Sequence, residues 1–406
     1  MSYYSKFSDK PTLLEKADQI NDWTSVRVNA HVHTPYSFSA FDSIPQALDM
    51  AVDEGVKVIG VNDFYTVDGH ERWINECEKR RLFPLLNSEF ISLNRDDQAK
   101  NIRVNDPNNP GRMYLSGKGL AFPSQLRDSY LQQLIDVKAE LSDHVIRMCE
   151  KLNDILLACD AGFSISYSAV KEEMTRGNVR ERHLAKALRL KVDEFFTEKQ
   201  AKIEFFKKLF GGKDLKSDIS DFAAVENEIR ANLLKAGGAA FVAESPKAFL
   251  DMEMVRQIIL HARGIPTYPF LADDSKGRFT DFETDKKNVA LVLKKRGIHS
   301  VEFITTRNSL AVLEEYAGYF YNEGFVVTFG SEHNTPAMEP VELSARGKTP
   351  LSDFLMEINL RGAAVIAAHQ YLVAKGEKGY VDISGVADVA NRDMYERLGR
   401  ALIEEA

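Results

Sequence analysis

Seven short apolar runs recur in this chain, most of them with polar or ionisable residues at their ends: VRVNAHVH, VKVIGVND, LFPLLNSEF, RMYLSGKG, GIPTYPFL, HSVEFITT and FVVTFGSEH. Helix-like stretches such as Ile44 to Glu54, Met252 to Arg263 and Leu310 to Glu323 separate several of them. Strands that alternate with helices argue for βα units, and hence for a parallel sheet or barrel. In such barrels the chemistry gathers where the strands end. Here those ends carry His31, His33, Asp63, Glu89, Lys118, Glu332 and His333.

Between residues 122 and 238 the pattern changes. Stretches such as LQQLIDVKAELSDHVIRMCEKLNDILLACDAG and VDEFFTEKQAKIEFFKKLF place apolar residues at helical spacing and lack strand-like runs. The chain therefore divides into a first barrel part (1–121), a helical insertion or cap (122–238), a second barrel part (239–345) and a C-terminal extension (346–406). The extension holds a helical stretch and one more strand-like run, AAVIAAHQYLV, with His369 inside it. A chain of 406 residues is long enough for a barrel with one insertion.

Bulk composition narrows the partners. A formal charge of -8 argues against extended contact with nucleic acid or an anionic membrane surface, both of which need clustered Lys and Arg. The three cysteines are scattered without a Cys-x-x-Cys pair, so neither a disulfide framework nor a zinc ribbon is indicated. No apolar run has the length of a membrane span and the first residues lack a signal-peptide core, which makes the cytoplasm the default location.

His31 and His33 lie two apart in an extended run, so their side chains point to the same face and can converge on one ion. An isolated His-x-His closes many strands without binding anything. Carboxylates at neighbouring strand ends, Glu89 and Glu332, shift the balance toward a ligand pair.

In order along the chain, these pieces resemble the polymerase and histidinol phosphatase (PHP) family of metal-dependent phosphoesterases. HVHTPYS is similar to its first motif, AVDEGVKVIGVNDFYTVDG to its second, PLLNSEF to the strand that brings a bridging glutamate, and FVVTFGSEHN to its closing Gly-Ser-Asp-x-His. GIPTYPFL and VEFITTRNS resemble the strands between, and TRGNVRERHLAKAL in the insertion resembles an Arg-x-His-Ile-Ala stretch of nucleotide-type members. The likeness runs from about residue 26 to 340. It implies a distorted seven-stranded (β/α) barrel of PHP type with a helical insertion.

The departures are informative. Phe64 stands where the family has His after Asp, Tyr268 where it has the His of His-Pro, Tyr114 where another His is frequent, and Asn334 where its final His falls. What survives is His31, His33, Glu89 and Glu332, a set belonging to one metal position. Two imidazoles and two carboxylates suit zinc, manganese or ferrous iron, so the resemblance implies one divalent ion per chain.

Asp63 is a candidate general base on a metal-bound water or a carboxylate that orients a ligand histidine, against the plain reading as turn chemistry. His333 is a catalytic candidate, or a substitute ligand if a bulge turns it inward. His369 is either an additional ligand or a hydrogen-bonded core histidine. Lys118, Arg180, Arg182 and Arg307 are candidates for holding substrate phosphate, although such residues are most often solvated surface charges. The expected function is a metal-dependent hydrolase, a phosphoesterase that attacks a small phosphorylated molecule with metal-bound hydroxide. The alternatives are a single-metal enzyme acting on a non-phosphate substrate such as a carbohydrate, and a non-catalytic ligand-binding protein.

Overall fold

The computed structural model describes residues 3–124 and 126–406. Its strands are β1 (Arg27–Val32), β2 (Val56–Phe64), β3 (Phe83–Leu93), β4 (Arg112–Lys118), β5 (Leu250–Asp251), β6 (Ile265–Phe270), β7 (Ser300–Ile304) and β8 (Val326–Gly330), with a separate hairpin, β9 (Ser344–Ala345) and β10 (Thr349–Pro350). The main sheet runs β1-β2-β3-β4-β6-β7-β8, with the short β5 beside the end of β3. All neighbours are parallel except β4, which runs antiparallel to both β3 and β6. The sheet curls round until Val32 meets Glu332 in a parallel bridge, where the His33 N–H donates to the Glu332 carbonyl at 2.8 Å. The result is a nearly closed, distorted (β/α) barrel.

The helices are α1 (Lys10–Ala17), α2 (Ile44–Asp53), α3 (His70–Lys79), α4 (Arg95–Ala99), α5 (Asp128–Ala158), α6 (Tyr167–Met174), α7 (Glu181–Phe195), α8 (Lys199–Leu209), α9 (Phe222–Ile229), α10 (Met252–His261), α11 (Lys286–Lys295), α12 (Leu310–Asn322), α13 (Asp353–Ala374) and α14 (Arg392–Glu405). Helix α2 shows why they form where they do. Ser43 caps its first turn by accepting from the Gln46 N–H, and Ile44, Ala47, Leu48 and Ala51 bury one stripe. That stripe packs with α3 on the outward-facing Val32, Ile59 and Val61, while α10, α11 and α12 cover Val301, Phe303, Val327 and Phe329.

Helices α5 to α9 form an apolar cluster of their own, from Val145 to Val242. The turn between α6 and α7 is pinned to the barrel, since the Arg176 N–H donates to the Pro35 carbonyl at 3.0 Å and the Asn178 amide to the Phe64 carbonyl at 3.1 Å. This anchors the start of α7 over the ends of β1 and β2.

AAVIAAHQYLV, expected as a strand-like run, is instead part of helix α13. A run that is apolar at nearly every position has no clear period to read, and α13 is buried along most of its length. It lies across the end of the barrel where the parallel strands begin: Asn359 donates to the Val28 carbonyl at 3.0 Å, and Gln370 accepts from the Leu86 N–H at 2.9 Å. Gly362 permits the contact, because a Cβ there would stand 1.9 Å from the Val327 carbonyl oxygen.

Candidate metal centre

β1 carries Asn29 and His31 toward the barrel interior, and His33 follows just past its end. His31 Nε2 lies 3.2 Å from His33 Nε2, and Glu89 Oε2, from β3, is 3.8 Å and 3.5 Å from these two nitrogens. All three side chains are buried. Among the described residues this is the group of His, Cys, Asp and Glu donors able to hold an ion.

Hydrogen bonding fixes how the two rings face each other. His31 Nδ1 is 2.7 Å from Glu302 Oε2. Burial works to raise the Glu302 carboxyl, but Lys118 and His31 hold it below the usual range, so it is ionised and can only accept. Glu302 therefore accepts from His31 Nδ1–H, and a neutral ring in this orientation would offer its lone pair at Nε2. His33 Nδ1 lies 3.2 Å from Ser37 Oγ, whose hydroxyl donates to Asp63 Oδ1 at 2.5 Å. Ser37 then accepts from His33 Nδ1, and His33 Nε2 is also a lone pair.

In their neutral forms both imidazoles turn Nε2 toward Glu89 Oε2, with the Asn62 amide nitrogen 3.0 Å from that of His31, and a cation would gather the two lone pairs and the carboxylate. Donors bound tetrahedrally at about 2.0–2.1 Å lie roughly 3.3 Å apart, close to the separations found here. The buried Asn62 Oδ1, on the residue whose amide nitrogen lies 3.0 Å from both nitrogens of His31, also lacks a protein partner. Burial, reinforced by the neighbouring His31, pushes His33 well below the usual imidazole range. Burial likewise raises the Glu89 carboxyl to about 8, against the pull of His31, with Glu332 and Glu302 adding to the rise. The donors fit a divalent ion.

The other expected site residues fall into three groups. Glu332 stands beside the two histidines through its backbone, but its carboxylate is taken by Arg307 and by the Asn334 amide at 2.7 Å, and it does not join the group of three. Asp63 accepts from the Thr34 N–H at 2.8 Å as well as from the Thr34 and Ser37 hydroxyls at 2.5 Å each, and burial raises its carboxyl to about 6. Its oxygens are committed to the loop that holds His33, a geometry that suits the orienting role, one of its two expected alternatives, better than that of a general base. Arg180, Arg182 and Arg307 line a cavity of about 390 Å³ with Glu89 and Glu332 in its wall.

The remaining residues lie elsewhere. His333 turns away from the group of three, with its ring stacked on Phe41 and bonded to Ser331 Oγ at 2.7 Å and the Glu339 carbonyl at 2.8 Å. Lys118 was expected to meet substrate. Because β4 runs antiparallel, its end lies beside the start of β6, and there Lys118 points inward, buried and paired with Glu302 Oε1 at 2.5 Å. His369, on α13, is bonded to the Arg263 carbonyl at 2.6 Å under the barrel, which is the core-histidine reading.

Glu302 was missed by sequence reasoning. The available signal was its parity: in SVEFI the inward positions are Ser300, Glu302 and Ile304, and a carboxylate at the middle of a buried strand needs a partner. Phe64 and Tyr114, where the resemblance implied lost ligands, both reach the cavity, and Phe64 lies flat against His33 with centroids 4.9 Å apart. Tyr268 faces outward and donates to Glu283 at 2.8 Å.

No family model and no curated protein sequence matches the chain. Among solved structures it is similar to a provisionally named metal-dependent phosphoesterase from Bifidobacterium adolescentis, with a TM-score of 0.55 and 14% identity over 83% of this chain and 96% of that one. It is also similar to an amidohydrolase from Chromobacterium violaceum, solved with bound sulfate and without metal. That pair gives a TM-score of 0.50 and 14% identity over 82% of this chain and 96% of the other. The likeness is one of fold. It extends through nearly all of each neighbour.

Proposed function

We propose that this chain is a metal-dependent hydrolase of the PHP type, a phosphoesterase acting on a small phosphorylated molecule. The observation that carries the reading is the meeting of the His31, His33 and Glu89 lone pairs beside a cavity rimmed by arginines. When bound there, a divalent ion supplies Lewis acidity and a water of lowered pKa.

The chain's own residues do the rest. Glu302 and Lys118 hold the His31 ring, Ser37 and Asp63 hold that of His33, and Glu89 brings the negative charge that an ion requires. Arg180 and Arg182 form no ion pair among the described residues: the Arg180 guanidinium lies over Phe64, and Arg182 finds the Asn227 amide oxygen at 3.5 Å. Two guanidiniums facing a cavity without carboxylate partners suit the equatorial oxygens of a phosphate. A single-metal reaction on a non-phosphate substrate is the second reading, and Phe64 favours it by filling the space next to His33 with an apolar ring.

The test is release of phosphate from a panel of phosphomonoesters by protein loaded with zinc, manganese or iron. Turnover that His33→Ala abolishes supports the phosphoesterase. Metal binding with no phosphate release from any ester supports the second reading instead. With neither, the chain is a ligand-binding protein. No helix among the described residues is long and apolar enough to cross a membrane.

A further inference from the structure

The Glu332 to Arg307 ion pair is the one feature of the centre that works against the proposed ion, since it takes a carboxylate away from it. The Glu332 N–H donates to the His31 carbonyl at 2.9 Å and its carbonyl accepts from the His33 N–H at 2.8 Å, so its backbone is fixed between the two ligand histidines. Glu332 and His333 both have positive φ, 63° and 54°, a region that side-chain-bearing residues seldom enter. The turn sends His333 toward Phe41 and leaves Glu332 facing the cavity. Glu89 and Glu332 line the same cavity, so the two carboxylates face one space beside the centre.

Arg307 ends the short turn Thr305–Arg307 that follows β7, and its side chain is 42% exposed and lines the cavity that an anion would enter. A phosphate oxyanion and the Glu332 carboxylate compete for this guanidinium. Once an anion takes Arg307, Glu332 is left as a second carboxylate beside Glu89, and the repulsion between them is relieved if Glu332 turns onto the ion.

We infer that Arg307 couples anion binding to metal binding: an anion on Arg307 releases Glu332 to become a further ligand of the ion held by His31, His33 and Glu89. The inference rests on the metal-centre reading above. Arg307 is in this sense a positioning residue, and the coupling is reciprocal, so that metal also tightens anion binding by the same factor.

The experiment measures zinc affinity by competition with a chromophoric chelator, with and without inorganic phosphate, for wild type, Arg307→Met and Glu332→Gln. Phosphate is expected to tighten zinc in wild type on the order of tenfold. Arg307→Met is expected to bind zinc more tightly than wild type without phosphate, because Glu332 is already free, and to respond little when phosphate is added. Glu332→Gln is expected to lose most of the phosphate effect. Zinc binding by Arg307→Met that equals or falls below wild type, with the fold intact by circular dichroism, overturns the inference. So does an undiminished phosphate effect in Glu332→Gln, which places the anion directly on the metal. Absence of zinc binding in wild type overturns the metal-centre reading itself, and is distinguishable from both.

Discussion

Replacing Glu302 by methionine is expected to weaken the metal centre and the fold together, and a second substitution separates the two. Glu302 Oε2 orients His31 and Oε1 pairs with Lys118, with both carboxylate and ammonium side chains wholly buried. Removing one member of a buried ion pair costs about 3–5 kcal/mol, because the other charge is left without compensation. Unfolding of a chain of 406 residues carries an entropy of roughly 0.85 kcal/mol/K, so a loss of about 4 kcal/mol lowers Tm by about 5 °C. Loss of the carboxylate behind a ligand histidine typically reduces metal affinity about 10–100-fold, or roughly 1.4–2.7 kcal/mol.

Lys118→Met leaves the Glu302 to His31 bond in place, so it is expected to destabilise the fold while retaining metal. The double variant has no orphan charge. Its Tm is expected to lie above that of either single variant, while its metal affinity stays as low as that of Glu302→Met. Calorimetric melts and chelator competition on the four proteins complete the cycle. A double variant that binds metal like wild type refutes the role given to Glu302. Strictly additive losses of stability refute the coupling of the pair.

Three further outcomes are expected. Arg182→Ala raises KM for a phosphomonoester about 10-fold or more with little change in kcat, as loss of a charge-assisted hydrogen bond costs about 1.5–3 kcal/mol; an unchanged KM removes Arg182 from substrate binding. Gly330→Ala places a Cβ 2.2 Å from His31 Cβ and is expected to displace the ring, lowering metal affinity and costing about 1–3 kcal/mol of stability; melting and metal titration report both. Burial lowers His369 from the ordinary 6.5 to about 4, so its neutral form contributes stability above pH 6.5 that is lost as the pH falls through about 4. That contribution is at most about 3 kcal/mol. His369→Gln is expected to flatten the fall of Tm between these pH values and to leave metal content unchanged, whereas loss of metal would return His369 to the ligand set.

The barrel was legible because its strands are short, apolar and punctuated by polar ends, and because the helices between them carry one apolar stripe each. His31, His33 and Glu89 were legible for the same reason, as strand ends that the closed sheet brings together. What was hidden depends on direction and side. Strand β4 looks like the others in sequence, but its antiparallel course sends Lys118 into the barrel instead of to its mouth. The alternation that would place Glu332 and His333 is broken by two residues of positive φ, which no composition signal marks. α13 has neither a helical nor a strand period, because it is buried nearly all round.

The most direct measurement is the number of metal equivalents per chain by plasma mass spectrometry, on protein prepared without chelators or a histidine tag, for wild type and His33→Ala. The expected result is close to one equivalent of zinc, manganese or iron in wild type and almost none in the variant. Wild-type protein that takes up no metal after reconstitution with all three would contradict a metal centre at His31, His33 and Glu89.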